Sequence, residues 1–203
     1  PRGTTMLVKV MTAAVALGVF AASQAVAADG KALFADKGCT ACHGEDAKTP
    51  LQEGYPKLAG QNAAYVVQQL KDMKSGARAN GLVADTMKPV AEDLDEASMT
   101  AIAEWLATLR PANIAAEAGP AGDGKTLYLK KTCIACHGKE GNKPVMPFYP
   151  LVGGQEKGYL LQQLKDIKST ARKNGKVDAM APVMHLVADN ELEAIAGYLS
   201  QVK

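Results

Sequence analysis

Aromatic side chains are scarce in this 203-residue chain, which has 3 Phe, 6 Tyr and 1 Trp, 5% of the total. A surplus of one charge is also missing, since 23 Lys and Arg against 21 Asp and Glu leave a net of only +2. That balance excludes a dedicated nucleic-acid binder, which carries a clear basic excess. No run of about 18 purely apolar residues lies in the body of the chain, which excludes a polytopic membrane protein. Apolar residues make up 47% and charged residues 22%, a composition that folds rather than staying disordered. Cysteine is rare too, and all four cysteines fall in two short patterns of the same form.

The N-terminal residues read as an address. Met6-Leu7-Val8-Lys9 opens an apolar run from Val10 to Ala22, followed by Ala25-Val26-Ala27. A basic residue, a short apolar stretch and an A-x-A site make a secretory signal peptide over residues 1–27, with Pro1 to Thr5 as upstream residues and cleavage after Ala27. The competing reading is an uncleaved anchor helix, disfavoured by the short run and by Gly18. Arg2 and Lys9 account for the whole excess, so the chain after Ala27 is neutral. The expected location is the periplasm or its membrane face.

The rest of the chain is a duplication. Over residues 29–78 against 123–172, 25 of 50 positions are identical at a constant offset of 94. After Gly81 and Gly175 the offset falls to 93, so that Met87-Lys88-Pro89-Val90 meets Met180-Ala181-Pro182-Val183. Two long copies are two domains rather than a solenoid. The expected limits are 28–108 for the first and 123–203 for the second, with an Ala-, Gly- and Pro-rich linker at 109–122.

Each copy reads as helical, without a convincing alternating strand pattern. Asp29 and Asp123 are candidate caps of a first helix running up to the first cysteine. A middle helix is expected over Asn62 to Ala77, its partner starting near Glu156. A last helix begins at Asp95, with Met99, Ile102, Ala103 and Leu106 on one face, and its counterpart begins at Asp189. Residues 44–60 read as loop. Domains this small with so few aromatics need a staple or a cofactor.

Cys39-x-x-Cys42-His43 and Cys133-x-x-Cys136-His137 supply it. In an exported chain this is the attachment signal for haem c, so two haem c groups are expected. The two thiols bond the porphyrin vinyl groups on one turn of backbone, and the adjacent histidine is held under the iron. A zinc ribbon would pair its Cys-x-x-Cys units more closely, and a thioredoxin-like motif needs a βαβ context. The sixth ligand must come from further along. Met87 and Met180 are the one methionine pair that superimposes between copies, each two residues before a proline. Proline favours extended backbone before it, which suits a ligand reaching from a loop. Met73 and Met99 face Ile167 and Leu192 and read as core. In the second copy Met184 and His185 are rivals, but the Met-x-Pro-Val unit favours Met180. Methionine and histidine together raise the potential and close the iron to substrates, so no catalytic residue is expected.

The paired motif, Tyr-Pro-Lys-Leu-Ala-Gly-Gln at 55–61, its counterpart Tyr-Pro-Leu-Val-Gly-Gly-Gln at 149–155, the repeated Gln-Gln-Leu-Lys-Asp block and the late Met-x-Pro together resemble the dihaem cytochrome c4 family. The resemblance spans nearly all of 28–203. It implies an all-α fold of two tandem cytochrome c-like domains, each wrapped around one covalent haem. It implies a crossing of first and last helices at Gly30, Phe34 and Trp105, and again at Gly124, Tyr128 and Tyr198. It implies that the Pro56 and Pro150 carbonyls accept from the proximal histidines, and that Arg78, Arg172, Tyr65 and Tyr159 face the haem propionates. It also implies redox protein partners: a terminal oxidase, a cytochrome complex or a dehydrogenase.

Charge separates the copies. Residues 28–110 hold 9 bases and 12 acids, and residues 111–203 hold 12 bases and 9 acids. Lys125, Lys130, Lys131, Lys139 and Lys143 surround the second motif and would steer an acidic partner. The leading expectation is a periplasmic electron carrier, with peripheral membrane attachment compatible. The alternatives are the cytochrome subunit of a sulfide- or thiosulfate-type dehydrogenase complex and, more remotely, a dihaem peroxidase.

Overall fold

The computed structural model describes Gly3, residues 29–111 and residues 123–203. The expected signal peptide and most of the expected linker lie outside them. All regular structure among the described residues is helical. The first domain holds α1 (Gly30–Asp36), α2 (Thr40–His43), α3 (Ala63–Ser75), a 3-10 turn (Gly81–Val83), α4 (Met87–Glu92) and α5 (Glu96–Thr108). The second repeats the order with α6 (Gly124–Lys130), α7 (Ile134–His137), α8 (Lys157–Lys168), α9 (Val177–Met184) and α10 (Asp189–Ser200). None is long and apolar enough to cross a membrane.

Caps set most starts. Asp29 accepts from the Lys31 and Ala32 amides, Asp95 from Ser98, and Glu156 from Gly158 and Tyr159. Asp123 makes no such bond. Its backbone is already helical, with φ −75° and ψ −3°, whereas Asp29 is extended at φ −71° and ψ 104°.

First and last helices cross as the resemblance implied. A Cβ added at Gly30 would stand 2.1 Å from the Ala101 carbonyl oxygen, and one at Gly124 would stand 2.1 Å from that of Ala194. Only hydrogen lets the backbones approach so closely. Phe34 and Trp105 pack beside the first crossing with ring centroids 5.0 Å apart, and Tyr128 and Tyr198 beside the second at 5.7 Å. The Tyr128 hydroxyl, buried in this wall, donates to the Gly138 carbonyl at 2.7 Å. Each domain thus closes a small core of its own, with Met99, Ile102 and Leu106 in one and Leu192, Ile195 and Leu199 in the other.

The expected loop position of the two methionines is corrected. Met87 opens α4, and Met180 lies in the middle of α9. Pro89 falls in the first turn of its helix, where its missing N–H has no partner to lose. Pro182 lies deeper, within the second turn of α9. These short helices are pinned at their C-terminal ends by lysines from elsewhere in the fold. Lys37 and Lys74 donate to the Asp93 and Leu94 carbonyls, and Lys131 and Lys168 to those of Leu186 and Val187.

Candidate functional site

The two Cys-x-x-Cys-His segments form a single helical turn each, in which the histidine amide bonds the carbonyl of the first cysteine, at 3.0 Å in one domain and 3.1 Å in the other. That turn places both sulfurs and the imidazole on one edge. The following glycine ends it: Gly44 and Gly138 both stand at φ 79°, and a Cβ there would meet the Thr49 or Lys143 carbonyl oxygen at 2.3 or 2.4 Å.

Both histidines are almost wholly buried. His43 Nδ1 lies 2.9 Å from the Pro56 oxygen and His137 Nδ1 3.0 Å from the Pro150 oxygen. A carbonyl can only accept, so each ring carries its proton on Nδ1 and leaves the Nε2 lone pair free. Burial pushes both imidazoles below their ordinary pKa, partly opposed by these carbonyls. The neutral form is the one that binds a metal.

A cavity of about 690 Å³ runs through both domains, a size that holds an organic ligand. Cys39, Cys42, His43 and Met87 line it in the first domain, and His137 and Met180 in the second. Its remaining wall is largely apolar, including Phe34, Leu70, Ile102, Leu160 and Ile167. Met73, read as core, also reaches this wall. Of the rivals to Met180, Met184 is packed in the second core and His185 is exposed.

Arg78 and Arg172 are buried, and each reaches across the domain boundary. Arg78 Nη2 donates to the Tyr159 hydroxyl at 3.1 Å and to Gln163 Oε1 at 3.0 Å. Arg172 Nη2 donates to the Tyr65 hydroxyl at 3.1 Å and to Gln69 Oε1 at 3.0 Å. Burial drives the Tyr159 phenol up in pKa, but the two guanidiniums outweigh it and hold the group below its ordinary value. Among the described residues neither arginine has a carboxylate within ion-pair reach, and Arg78 Nε has no hydrogen-bond partner. Two buried cations of this kind, both on the cavity wall, call for an anion. The propionate carboxylates of a haem are such anions, so the donor set, the apolar wall and the arginines all fit that group.

The same boundary holds polar pairs that the sequence reading missed. Asn80 Nδ2 donates to Asp166 Oδ2 at 2.5 Å and Asn174 Nδ2 to Asp72 Oδ2 at 2.6 Å. Gln61 and Gln155 bond the opposite domain's backbone. All of these side chains are identical between copies at an offset of 94. The signal was therefore present as polar residues repeated between the copies. One expectation needs correction on the surface: Lys131 is not free for a partner, because it is tied to Glu191 and the Leu186 carbonyl.

Two haem-attachment turns whose histidines both line one apolar cavity define a tandem haem-binding electron carrier. The sequence model of the cytochrome c family matches residues 27–110 and again 121–203, so the chain belongs to the cytochrome c family, in the two-domain form of cytochrome c4. A thiosulfate dehydrogenase electron acceptor from Stutzerimonas stutzeri is 35% identical over 196 residues, 88% of each chain. The structure of reduced cytochrome c4 from Pseudomonas stutzeri superimposes with a TM-score of 0.73 at 26% identity, covering 88% of this chain and 99% of that one. Thiosulfate dehydrogenase from Marichromatium purpuratum gives 0.71 at 27% identity, covering 86% of this chain and 40% of that one. The protein is accordingly an electron carrier rather than an enzyme, with one haem c in each domain. The chemistry the haem supplies is the reversible one-electron oxidation of its iron.

Proposed function

We propose that the chain relays electrons between periplasmic redox proteins, one domain receiving them and the other passing them on. The observation that carries this reading is the single cavity lined by His43 and Met87 of one domain and by His137 and Met180 of the other. Cys39 and Cys42, and Cys133 and Cys136, hold the porphyrins. His43 with Met87, and His137 with Met180, complete the two irons. Full ligation by side chains leaves no place for a substrate, so what these residues do is bind, orient and exclude water. Arg78 and Arg172 would neutralise the haem propionates, and the Tyr65 and Tyr159 hydroxyls would hydrogen-bond them. The acceptor on this reading is a terminal oxidase or cytochrome complex.

A second reading is favoured by the 35% identical relative and by the Marichromatium purpuratum structure. On it, the donor is a thiosulfate-oxidising dehydrogenase.

Docking on either reading uses the second domain's face. Val145, 60% exposed, donates its amide to the Cys136 carbonyl at 3.0 Å, so an apolar contact sits beside the attachment turn. Lys139 and Lys143 flank it and are exposed. Reversing both charges to Glu should slow electron exchange with an acidic partner on the order of tenfold at low salt. The effect should fade as ionic strength rises. Stopped-flow mixing with a thiosulfate dehydrogenase and, separately, with an oxidase identifies the donor and the acceptor. A rate indifferent to both salt and charge reversal would sink the docking assignment.

A further inference from the structure

Gln61 and Gln155 occupy equivalent places just before the middle helix of each domain, and each is only 7% exposed. Each uses both ends of its side-chain amide on the other domain, its oxygen also accepting from the following residue's amide in its own domain. Gln155 Oε1 accepts from the Lys57 amide at 2.7 Å, and Gln155 Nε2 donates to the Lys57 carbonyl at 2.8 Å. Gln61 treats Leu151 the same way, accepting from its amide at 2.8 Å and donating to its carbonyl at 3.0 Å. One side chain thus brackets both polar groups of a single residue, as a neighbouring strand would.

The bracketed residues matter because of what precedes them. Lys57 follows Pro56 and Leu151 follows Pro150, the residues whose carbonyls accept from His43 and His137. Proline has no N–H, and its one carbonyl is engaged by the histidine. The first peptide amide by which this loop can be anchored after that carbonyl is therefore that of the next residue. In both copies the anchor comes from the opposite domain.

We infer that Gln61 and Gln155 are positioning residues acting across the domain boundary. Gln155 holds the histidine of the first domain through Lys57 and Pro56, and Gln61 holds that of the second through Leu151 and Pro150. The inference rests on the reading of His43 and His137 as iron ligands. A firm Nδ1–H to carbonyl bond fixes the ring and raises its basicity as a ligand. Releasing the loop weakens that bond, stabilises the reduced iron and raises the potential of the affected domain only. Each iron is in this way tuned by the neighbouring domain.

The test uses the two-haem protein. Gln155→Ala leaves the arginine, tyrosine and asparagine bonds across the boundary in place, so the domains stay docked. NMR of the reduced protein follows solvent exchange of the two histidine Nδ1 protons, and a redox titration followed by NMR resolves the two potentials. Gln155→Ala should speed exchange at His43 about tenfold, the weight of about one hydrogen bond, raise the first domain's potential and leave His137 unchanged. Gln61→Ala should give the mirror result at His137. Gln155→Glu keeps the acceptor for Lys57 and loses the donor, and should fall between. Faster exchange at both histidines, at neither, or only in the domain that carries the substitution overturns the inference. Absence of two covalent haems, or of histidine ligation in the unaltered protein, would instead defeat the underlying reading, and both are measured independently of the glutamines.

Discussion

The two domains share a backbone but place its strain differently. At the turn after the first helix the chain is left-handed in both, with Gly38 at φ 73° in the first domain and Thr132 at φ 62° in the second. After the middle helix the same holds for Gly76 at φ 78° and Thr170 at φ 63°. In the loop after the attachment turn the assignment reverses, with Ala47 at φ 56° against Gly141 at φ 72°. The left-handed turns are thus demanded by the fold around the haem and not by the residue occupying them. A β-branched residue there costs about 1–2 kcal/mol, so the second domain carries the greater load. It adds compensation that the first lacks, in the bond from the Tyr128 hydroxyl to Gly138, where the first domain has Phe34.

The strongest way to break this comparison is to remove the cofactor from one side. Changing Cys133 and Cys136 to Ala should leave one covalent haem per chain, read by the mass of the denatured protein. The second domain's small core should then unfold while the first persists, seen as loss of amide protection confined to residues 123–203. A haem-free second domain that stayed fully protected would show that its strained turns need no cofactor.

Next in size come the helix crossings, where the two domains should behave alike. Gly30→Ala and Gly124→Ala each force a methyl into a backbone carbonyl, with no flexible side chain to yield. Each should cost about 3 kcal/mol or more. Native-state hydrogen exchange reads each domain separately. A large loss in one domain and a small one in the other would mean that one crossing can slide open.

The strain itself can be relieved. Thr132→Gly and Thr170→Gly should each stabilise the second domain by about 1 kcal/mol, the left-handed penalty less the extra freedom glycine gains when unfolded. The converse changes, Gly38→Thr and Gly76→Thr, should lower the first domain by a similar amount. If relief at Thr132 stabilises nothing, its conformation is not strained, and the comparison fails at that position.

What the sequence made legible follows from what a repeat can encode. The attachment turns and the capped starts at Asp29 and Asp95 are local patterns, and the structure places them as read; the Gly30 and Gly124 crossings join helices about 70 residues apart and were legible only through the family resemblance. Met87 and Met180 were legible as cavity-facing side chains but not as helical ones. Proline after each methionine reads as loop, although Pro89 falls where its lost N–H is an orphan and Pro182 is held within the second turn of α9. The domain boundary was illegible for a different reason. Gln61, Gln69, Asn80 and Asp72 repeat as faithfully as the core, and a single sequence does not reveal whether a repeated residue serves its own copy or the other. Lys131, which helps pin α9, was read as surface charge because its carbonyl partner lies 55 residues away.

The smallest expected difference concerns the first helix of each domain. Asp29 and Asp123 match in sequence, yet only Asp29 accepts from the backbone, at 2.9 Å from Lys31 and 3.3 Å from Ala32. An extended N-cap residue turns its carboxylate back over the first amides, whereas the helical backbone at Asp123 carries it away from them. Asp29→Ala should therefore cost about 1 kcal/mol. Asp123→Ala should cost only the few tenths, about 0.3 kcal/mol, that a negative charge gains from the helix dipole. Salt separates the two contributions, because the dipole share is screened and a short hydrogen bond is much less so. Amide exchange at Lys31 and Ala32 should quicken in the first variant, while that at Lys125 and Thr126 should barely change in the second. Equal losses would mean that Asp123 adopts the capping conformation in solution, and that the two helix starts are as symmetric as their sequences.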